Sequence, residues 1–285
     1  MTLTGPIIAA VLFGALLHAS WNALVKSSAD KALDTAVMQI VGTLLFLPLL
    51  VLVGAPPRGA WPFIAASCVI HIGYYTALAG AYKHGDLGLT YPLMRGVAPL
   101  LVALASGVTV GEYLPTLGWA GVAGICAGVL VLGLSRHAME RPRAVAFALA
   151  NAVCIALYTV VDALGVRASV RDGGTALQYV TALFVFNGWP YGVAVLTRRG
   201  WRVSLPYVRR RAPLAALGST ASLASYAIAL WAMTKAPVAV VAALRETSVL
   251  FAALLGTWLL REPFTKRRAL GTAVIVAGVI ALRLG

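Results

Sequence analysis

The chain has 285 residues, of which 60% are hydrophobic and only 11% are charged, and its mean hydropathy is +0.87. Soluble domains carry about 25% charged residues, so this composition excludes a water-soluble globular protein. The formal net charge is +14, but the basic residues sit in short connections between apolar runs, which indicates membrane topology. We therefore expect an integral membrane protein in contact with the lipid bilayer and without a nucleic-acid partner.

Ten apolar runs are long enough to cross a membrane, because a spanning helix needs about 20 mostly apolar residues. In chain order they cover residues 5–25, 33–53, 60–82, 87–109, 115–134, 142–163, 176–196, 212–233, 237–260 and 267–284. No Lys or Arg precedes the first run, so we interpret it as a membrane helix and not as a cleaved signal peptide. The longest connection, 197–211, contains six arginines.

The positive charges predict the orientation of these helices. The connections after odd-numbered helices hold 16 Lys and Arg residues, and the connections and end on the opposite face hold five. Since Lys and Arg are retained on the cytoplasmic side, the first face is expected in the cytoplasm. Both termini should then lie outside the plasma membrane, which is the inner membrane of a Gram-negative host.

A repeat relates the two halves of the chain. Residues 74–133 align without a gap on residues 224–283 at a shift of 150, which places Arg95 on Arg245. A self-similarity on this scale means that one structural unit is used twice. Both arginines lie inside long apolar stretches, where a charge is costly and usually functional.

The repeat also predicts the architecture. Each half holds five helices, an odd number, so the second copy enters the membrane from the opposite side. We predict two inverted five-helix repeats, residues 1–136 and 137–285, around a central cavity. Such copies can face either side of the membrane through equivalent conformations, which is the structural basis of alternating access.

With this pattern the chain resembles the drug/metabolite transporter superfamily, and specifically its ten-helix EamA-type members. The resemblance rests on the five-plus-five helices, on Trp21-Asn22-Ala23, and on the turns Gly111-Glu112 and Arg261-Glu262-Pro263 before helices 5 and 10. It implies that helices 1, 3, 4, 6, 8 and 9 line the cavity and that helices 5 and 10 pack together as a scaffold. Within the family, the sequence is most similar to bacterial exporters of amino acids, including aromatic ones.

One departure from the superfamily concerns helix 1. The four-helix multidrug relatives use a membrane-buried glutamate there to exchange lipophilic cations for protons. Helix 1 of this chain contains no acidic residue and offers His18 and Asn22 instead. This difference argues against proton-coupled export of cationic drugs.

The two matched arginines are the first candidates for contact with the cargo. Arg95 and Arg245 each lie about eight residues, or ~12 Å, into a hydrocarbon core ~30 Å thick. An arginine fork matches a carboxylate or phosphate, so both could address one anionic group. Alternatively each arginine snorkels or pairs internally. Glu246 could receive an amino group, but neutralisation of Arg245 is the preferred interpretation.

Aromatic and polar side chains on the predicted cavity helices complete the candidate site. Tyr and Trp offer an apolar face, a hydrogen bond and a cation–π surface to an ammonium group. Those near helix ends could instead form an interfacial belt. The aromatic candidates are Trp21, Tyr74, Tyr75, Tyr82, Tyr158, Tyr226 and Trp231.

The polar candidates are His18, Asn22 and Asn151, for which interhelical hydrogen bonding is the alternative role. His18 and His71 could also carry a coupling proton. Pro92, Pro99 and Pro237 are the predicted hinge positions, because proline removes a backbone donor and can bend a helix.

Taken together, these residues predict an exporter of amino acids, with broad selectivity that includes aromatic ones, working by alternating access. The alternatives are export of other small metabolites or drugs, a passive channel, or a membrane-embedded enzyme. The sequence has no His-Glu-x-x-His motif, no Gly-x-Ser-x-Gly motif and no close pair of membrane carboxylates, so we do not expect an enzyme. We expect neither a cofactor nor a metal, and the oligomeric state, a monomer included, stays open.

Overall fold

The structure is a computed structural model that describes residues 3–26, 30–85, 87–133, 141–259 and 265–284. Within these ranges the chain forms α-helices joined by short connections, with one 3₁₀ turn at Arg58–Ala60. The helices are α1 Gly5–Lys26, α2 Lys31–Val53, α3 Trp61–His84, α4 Leu87–Thr109, α5 Thr116–Gly133, α6 Pro142–Arg171, α7 Ala176–Arg199, α8 Trp201–Met233, α9 Val238–Arg245, α10 Ser248–Leu259 and α11 Lys266–Leu284.

The prediction of an all-α membrane protein with ten spanning helices is confirmed, with one modification. In the described part of the chain, seven helices are long and apolar enough to cross a membrane, namely α1–α4 and α6–α8. The other three predicted spans are formed by the shorter α5, by α11, and by α9 and α10 in succession. The ninth predicted helix, 237–260, is therefore divided into two.

Two predicted boundaries are wrong. α6 continues to Arg171, eight residues beyond the predicted end at 163. The predicted connection 197–211 is almost entirely helical, since α7 ends at Arg199 and α8 begins at Trp201. Only Gly200 separates these two helices, and its φ of 82° is a backbone conformation that glycine adopts without steric cost. Arginine is a good helix former, so the basic run extends α8 beyond its apolar part.

The helix contacts follow the repeat: a contact between two helices has a counterpart between the equivalent helices of the other half. α1 packs on α8 and α3 packs on α6, while α4 contacts α6 and α1 contacts α9 and α10. Three further pairs, α2 with α7, α5 with α11 and α4 with α9, each join equivalent helices of the two halves. This is the pattern expected from the two predicted five-helix repeats.

The interface between α5 and α11 has matched contacts on its two sides. A methyl group at Gly128 would lie 2.6 Å from Cγ1 of Ile275, and one at Gly278 would lie 2.8 Å from Cγ1 of Ile125. These four positions exchange under the shift of 150 residues. Because glycine allows backbones to approach closely, the two helices form the tight scaffold that was expected of helices 5 and 10.

Candidate functional site

The ninth predicted span is interrupted at its middle, in the segment that carries Arg245. α9 ends at Arg245 and α10 begins at Ser248. The backbone N–H groups of Glu246 and Thr247 donate to carbonyls three residues earlier, and the Thr247 hydroxyl donates to the Leu244 carbonyl at 2.7 Å. Such local bonds compete with the α-helical pattern. Discontinuous helices of this kind are typical of transporter sites near the membrane midplane.

Arg95 on α4 is neutralised by the acidic residue of this break. Its Nε lies 2.7 Å from Oε2 of Glu246, and both side chains are more than nine-tenths buried. The two atoms do not form a hydrogen bond, so the interaction between the two side chains is mainly the attraction of opposite charges. An Nη2 of Arg95 also donates to the Ser248 hydroxyl at 3.4 Å. Glu246 was expected to neutralise Arg245; its direct ion pair is with Arg95, while Arg245 also lies within electrostatic range of it.

Arg245 has a different environment from Arg95. Its Cζ lies 4.9 Å from the centroid of the Tyr226 ring, which is a cation–π contact. Its Nε is buried and has no hydrogen-bond partner among the residues that the structure describes. A buried donor without a partner costs free energy. Arg245 therefore differs from Arg95, whose Nε also lacks a hydrogen bond but faces the Glu246 carboxylate.

α1 adds an imidazole and an indole beside the two arginines. The rings of His18 and Trp21 are 5.2 Å apart and perpendicular, and His18 is within electrostatic range of both Arg95 and Arg245. The indole Nε1 of Trp21 is buried and, within the described ranges, without a hydrogen-bond partner. Asn22 donates to the His18 carbonyl at 2.7 Å, so its amide is engaged within its own helix.

Aromatic rings form a continuous group between α3, α6, α7 and α8, which we call the aromatic cluster. Its members are His71, Tyr74, Tyr75, Tyr158, Tyr191 and Tyr226. His71 stacks on Tyr158 with ring centroids 4.5 Å apart, and Tyr75 stacks on Tyr191 at 4.4 Å. The Tyr158 and Tyr226 rings are 6.4 Å apart, so the cluster includes the ring that faces Arg245.

Three of the predicted aromatic candidates lie outside the aromatic cluster, and the first is Trp21, whose described ring contact is with His18. Tyr82 is 38% exposed, although it lies within electrostatic range of Arg95 and Tyr91. Trp231 is 40% exposed and takes no part in the ring contacts that the structure describes for the cluster. The structure thus groups Tyr74, Tyr75, Tyr158 and Tyr226, and separates Trp231 from them.

Asn151 joins two helices and keeps one polar atom free. Its Nδ2 donates to the Tyr74 carbonyl at 2.9 Å. Its Oδ1 is buried and has no partner within the described part of the chain. Asn151 therefore acts as interhelical glue and also presents an acceptor beside the aromatic cluster.

The three predicted hinge prolines differ in whether a helix is interrupted at their position. α4 runs without interruption through Pro92 and Pro99, whereas the observed break lies in α9–α10, where no proline is present. Pro237 is the N-cap residue of α9, in the turn after α8. Of the three prolines, only Pro237 marks a boundary between helices.

Asp162 on α6 was not recognised from the sequence, although an acidic residue inside the predicted helix 142–163 was the available signal. Its side chain is fully buried. It accepts hydrogen bonds from the hydroxyls of Tyr179 at 3.0 Å and Tyr226 at 2.5 Å. Tyr226 therefore contacts Asp162 with its hydroxyl and Arg245 with its ring face.

A second ion pair holds the start of α9 at one end of the bundle. Oε1 of Glu112 lies 2.6 Å from Nη2 of Arg167, and Oε2 accepts from the backbone N–H of Val238 at 2.7 Å. Arg167 also donates to the Met233 carbonyl at 2.8 Å, at the end of α8. An open depression of about 450 Å³ lies beside this pair. Arg167 was assigned to a connection, which concealed its role.

The site combines two arginines, buried N–H groups without a described hydrogen-bond partner, and aromatic rings. The structure groups no three or more His, Cys, Asp or Glu side chains suitable for a metal ion among the residues that it describes. The buried polar atoms without a hydrogen-bond partner in the described residues include two N–H donors, the Arg245 Nε and the Trp21 Nε1, as well as the Arg95 Nε and the acceptor Oδ1 of Asn151. Two such N–H groups next to an aromatic cluster can hold a carboxylate and a flat or apolar side chain.

Comparison with known proteins identifies the fold and the family. A solved structure described only as "Crystal structure of protein" superposes with a TM-score of 0.71 and 20% sequence identity, over 97% of this chain and 98% of that one. At this identity the likeness shows the fold alone. No curated protein matches the sequence. The model of the EamA-like transporter family matches residues 142–284, half of the chain. The chain is a multi-pass membrane protein and belongs to the EamA-like transporter family.

Proposed function

We propose that the protein exports amino acids across the plasma membrane by alternating access, with broad selectivity that includes aromatic amino acids. The cargo's carboxylate binds Arg245, and its side chain and ammonium group face the aromatic cluster. The observation that carries this proposal is the buried Nε of Arg245, which has no hydrogen-bond partner in the described part of the chain.

The charge pattern supports a carboxylate cargo. Arg95 is already paired with Glu246, while Arg245 contacts the Tyr226 ring and has Glu246 and Asp162 within electrostatic range. An arriving carboxylate can accept from the guanidinium of Arg245, and charge-assisted bonds of this kind are about twice as strong as neutral ones. The Trp21 Nε1, also buried without a described partner, is the second donor that we propose for the carboxylate.

The aromatic cluster supports an amino acid as the carrier of that carboxylate. Tyrosine faces attract an ammonium group and also accept flat or aliphatic side chains. Because these contacts are not directional in the way that hydrogen bonds are, we expect broad selectivity. A phosphorylated compound would need more positive charge than Arg245 alone offers.

We further propose the orientation and the division of the chain. The excess of Lys and Arg after odd-numbered spans supports a plasma-membrane protein with both termini on the extracytoplasmic side. The paired helix contacts support repeat boundaries at residues 1–136 and 137–285. Cysteine-accessibility labelling of residues near the two ends of the chain tests the orientation, because both ends must react from the same side.

Counter-flow in proteoliposomes tests the cargo assignment. Vesicles containing the purified protein are loaded with one unlabelled amino acid, and entry of labelled amino acid is followed for a panel of side chains. We expect saturable counter-flow for several amino acids and a lower response for their amides, which lack the carboxylate. Non-saturating flux without counter-flow would indicate a channel. Strong flux of phosphorylated or quaternary ammonium compounds, with none for amino acids, would overturn the proposal.

A further inference from the structure

Asp162 is a buried acid without a directly bonded cation. It lies on α6 with zero exposure, and both of its carboxylate oxygens accept hydrogen bonds from tyrosine hydroxyls, Tyr179 on α7 and Tyr226 on α8. An ionised carboxylate is expensive to bury unless it is paired. These two hydroxyls and that of Ser67 on α3 are neutral donors, which reduce that cost but do not cancel the charge.

The charged and titratable groups around Asp162 come from every neighbouring element. α3 contributes Ser67 and Cys68, α7 contributes Tyr179, α8 contributes Tyr226, and the end of α9 contributes Arg245. On α6 itself Tyr158 is near, and Arg95 on α4 reaches Tyr158. The 3₁₀ turn meets α6 at Asp172, at the far end of the helix. Arg245 is therefore the cation that faces Asp162, with the Tyr226 side chain between them.

We propose that Asp162 is a proton-binding site and that it is linked through Tyr226 to the cargo carboxylate on Arg245. The proposal rests on the proposed function, because the cargo carboxylate is the second ligand. It places the coupling proton on α6. The sequence had suggested His18 on α1 or His71 on α3 instead.

The linkage follows from charge balance in a medium of low dielectric constant. When Asp162 is ionised, it partly balances Arg245 across the Tyr226 side chain. A carboxylate that binds Arg245 neutralises the positive charge of its guanidinium. The negative charge on Asp162 then becomes more costly, and Asp162 binds a proton more readily. By reciprocity, a proton on Asp162 strengthens carboxylate binding at Arg245 by the same factor.

Protonation does not require the helices to separate. A protonated Asp162 accepts from one tyrosine hydroxyl and donates to the oxygen of the other. Proton and cargo therefore bind the same state and cross the membrane together. Export is driven by the outward cargo gradient, and an inward proton gradient opposes it.

Infrared spectroscopy of the reconstituted protein tests proton binding without any cargo. The difference between the wild-type protein and Asp162→Asn, recorded over roughly pH 5 to 8, should contain a carboxylic-acid C=O band that grows as the pH falls. Asparagine keeps the size and the hydrogen-bonding capacity of Asp162 but cannot titrate. Tyr179→Phe is the matched control, since it removes one donor and keeps the titrating carboxyl and the Tyr226 link. No such band in the difference would overturn the proposal.

Cargo binding then tests the linkage. For the wild-type protein we expect an amino acid to bind about tenfold more tightly at the acidic end of the range, and for Asp162→Asn we expect no dependence on pH. In Tyr226→Phe the C=O band should persist at a shifted frequency, and cargo should no longer increase it. Tyr226→Phe therefore assigns the band to Asp162 even if Asp162→Asn fails to fold.

The outcomes separate the two proposals. If Asp162 titrates but no amino acid is carried, the proposed function fails and the proton site stands. If amino acids are carried and Asp162→Asn keeps the pH dependence of the wild-type protein, the linkage is overturned while the proposed function stands. A purely structural role for the Asp162 network would lower the stability of the variant and leave the pH dependence unchanged.

Discussion

Arg95 and Arg245 occupy equivalent positions of the repeat, yet their surroundings differ in backbone and in charge. Arg95 lies in the uninterrupted α4 and is paired with Glu246. Arg245 ends the short α9, rests on the Tyr226 ring and keeps a buried Nε without a described partner. A duplicated sequence has thus produced one arginine in a buried ion pair and one against an aromatic ring, and it is the second that we propose for the cargo.

The residues next to the two arginines explain the difference. Gly96 in the first copy corresponds to Glu246 in the second, and Val97 corresponds to Thr247. Only the second copy has an acid to reach across to Arg95 and a hydroxyl to bond its own backbone. The prolines are in the first copy, where the helix does not break. Charge and local hydrogen bonding, and not proline, locate the break.

The largest effect is expected from breaking the Arg95–Glu246 pair. Arg95→Gln or Glu246→Gln leaves one buried charge unpaired, and each should lower the free energy of unfolding by about 3–5 kcal/mol. The double variant should lose less than the sum of the two, since it leaves no unpaired charge. Thermal or denaturant unfolding in detergent measures this. Additive losses would show that the two side chains are not coupled.

The second effect is on cargo affinity and separates the two arginines. Arg245→Gln should weaken binding of an amino acid by about ten- to a hundredfold, because a hydrogen bond to a charged group contributes about 1.5–3 kcal/mol. Its stability should stay close to that of the wild-type protein, unlike that of Arg95→Gln. Counter-flow and unfolding, measured on the same preparations, provide the comparison. Equal affinity losses in stability-matched variants of both arginines would contradict the assignment.

Much of the fold could be predicted from the sequence, because membrane helices follow from hydropathy and length alone. The repeat at a shift of 150 residues also predicted which helices would pack as equivalents, as Gly128 and Gly278 illustrate. The division of the ninth span could not be read from hydropathy, since both of its halves are apolar. The ion pair at the break joins residues 95 and 246, which are remote in sequence.

The candidate site was predicted in part, and for a similar reason. A position on the cavity helices was predicted for the tyrosines, of which Tyr74, Tyr75, Tyr158 and Tyr226 form one cluster and Tyr82 does not. The partner of Glu246 was not, since helix rotation decides which side chains meet. Asp162 was missed although it stands alone in an apolar helix, and its role became visible only when Tyr179 and Tyr226 were seen to bond it.

A third, smaller effect is expected where the two halves are equivalent. Gly128→Ala and Gly278→Ala each place a methyl group against an isoleucine of the facing helix, at 2.6 and 2.8 Å. Overpacking of this kind costs about 1–3 kcal/mol. Because the two contacts exchange under the repeat, the two losses of unfolding free energy should be similar. A large difference between the two losses would show that the two equivalent contacts do not contribute equally to stability.

The smallest effect concerns the hydroxyl at the break. Thr247→Val keeps the side-chain shape and removes the bond to the Leu244 carbonyl, which should cost about 1 kcal/mol of unfolding free energy. The matched control is Val97→Thr, at the equivalent position of α4, where no break exists. Equilibrium unfolding measures the loss of unfolding free energy in both variants. If Val97→Thr loses as much as Thr247→Val, the Thr247 hydroxyl does not explain the break.

Binding of a matched pair of cargoes tests the central assignment most directly. Competition in counter-flow is measured for phenylalanine and for phenylalaninamide, which lacks the carboxylate, in the wild-type protein, in Arg245→Gln and in Arg95→Gln. We predict that the wild-type protein and Arg95→Gln prefer phenylalanine by about tenfold or more and that Arg245→Gln loses the preference. If Arg245→Gln keeps the preference while Arg95→Gln loses it, the cargo carboxylate binds Arg95, and the assignment of the two arginines is reversed.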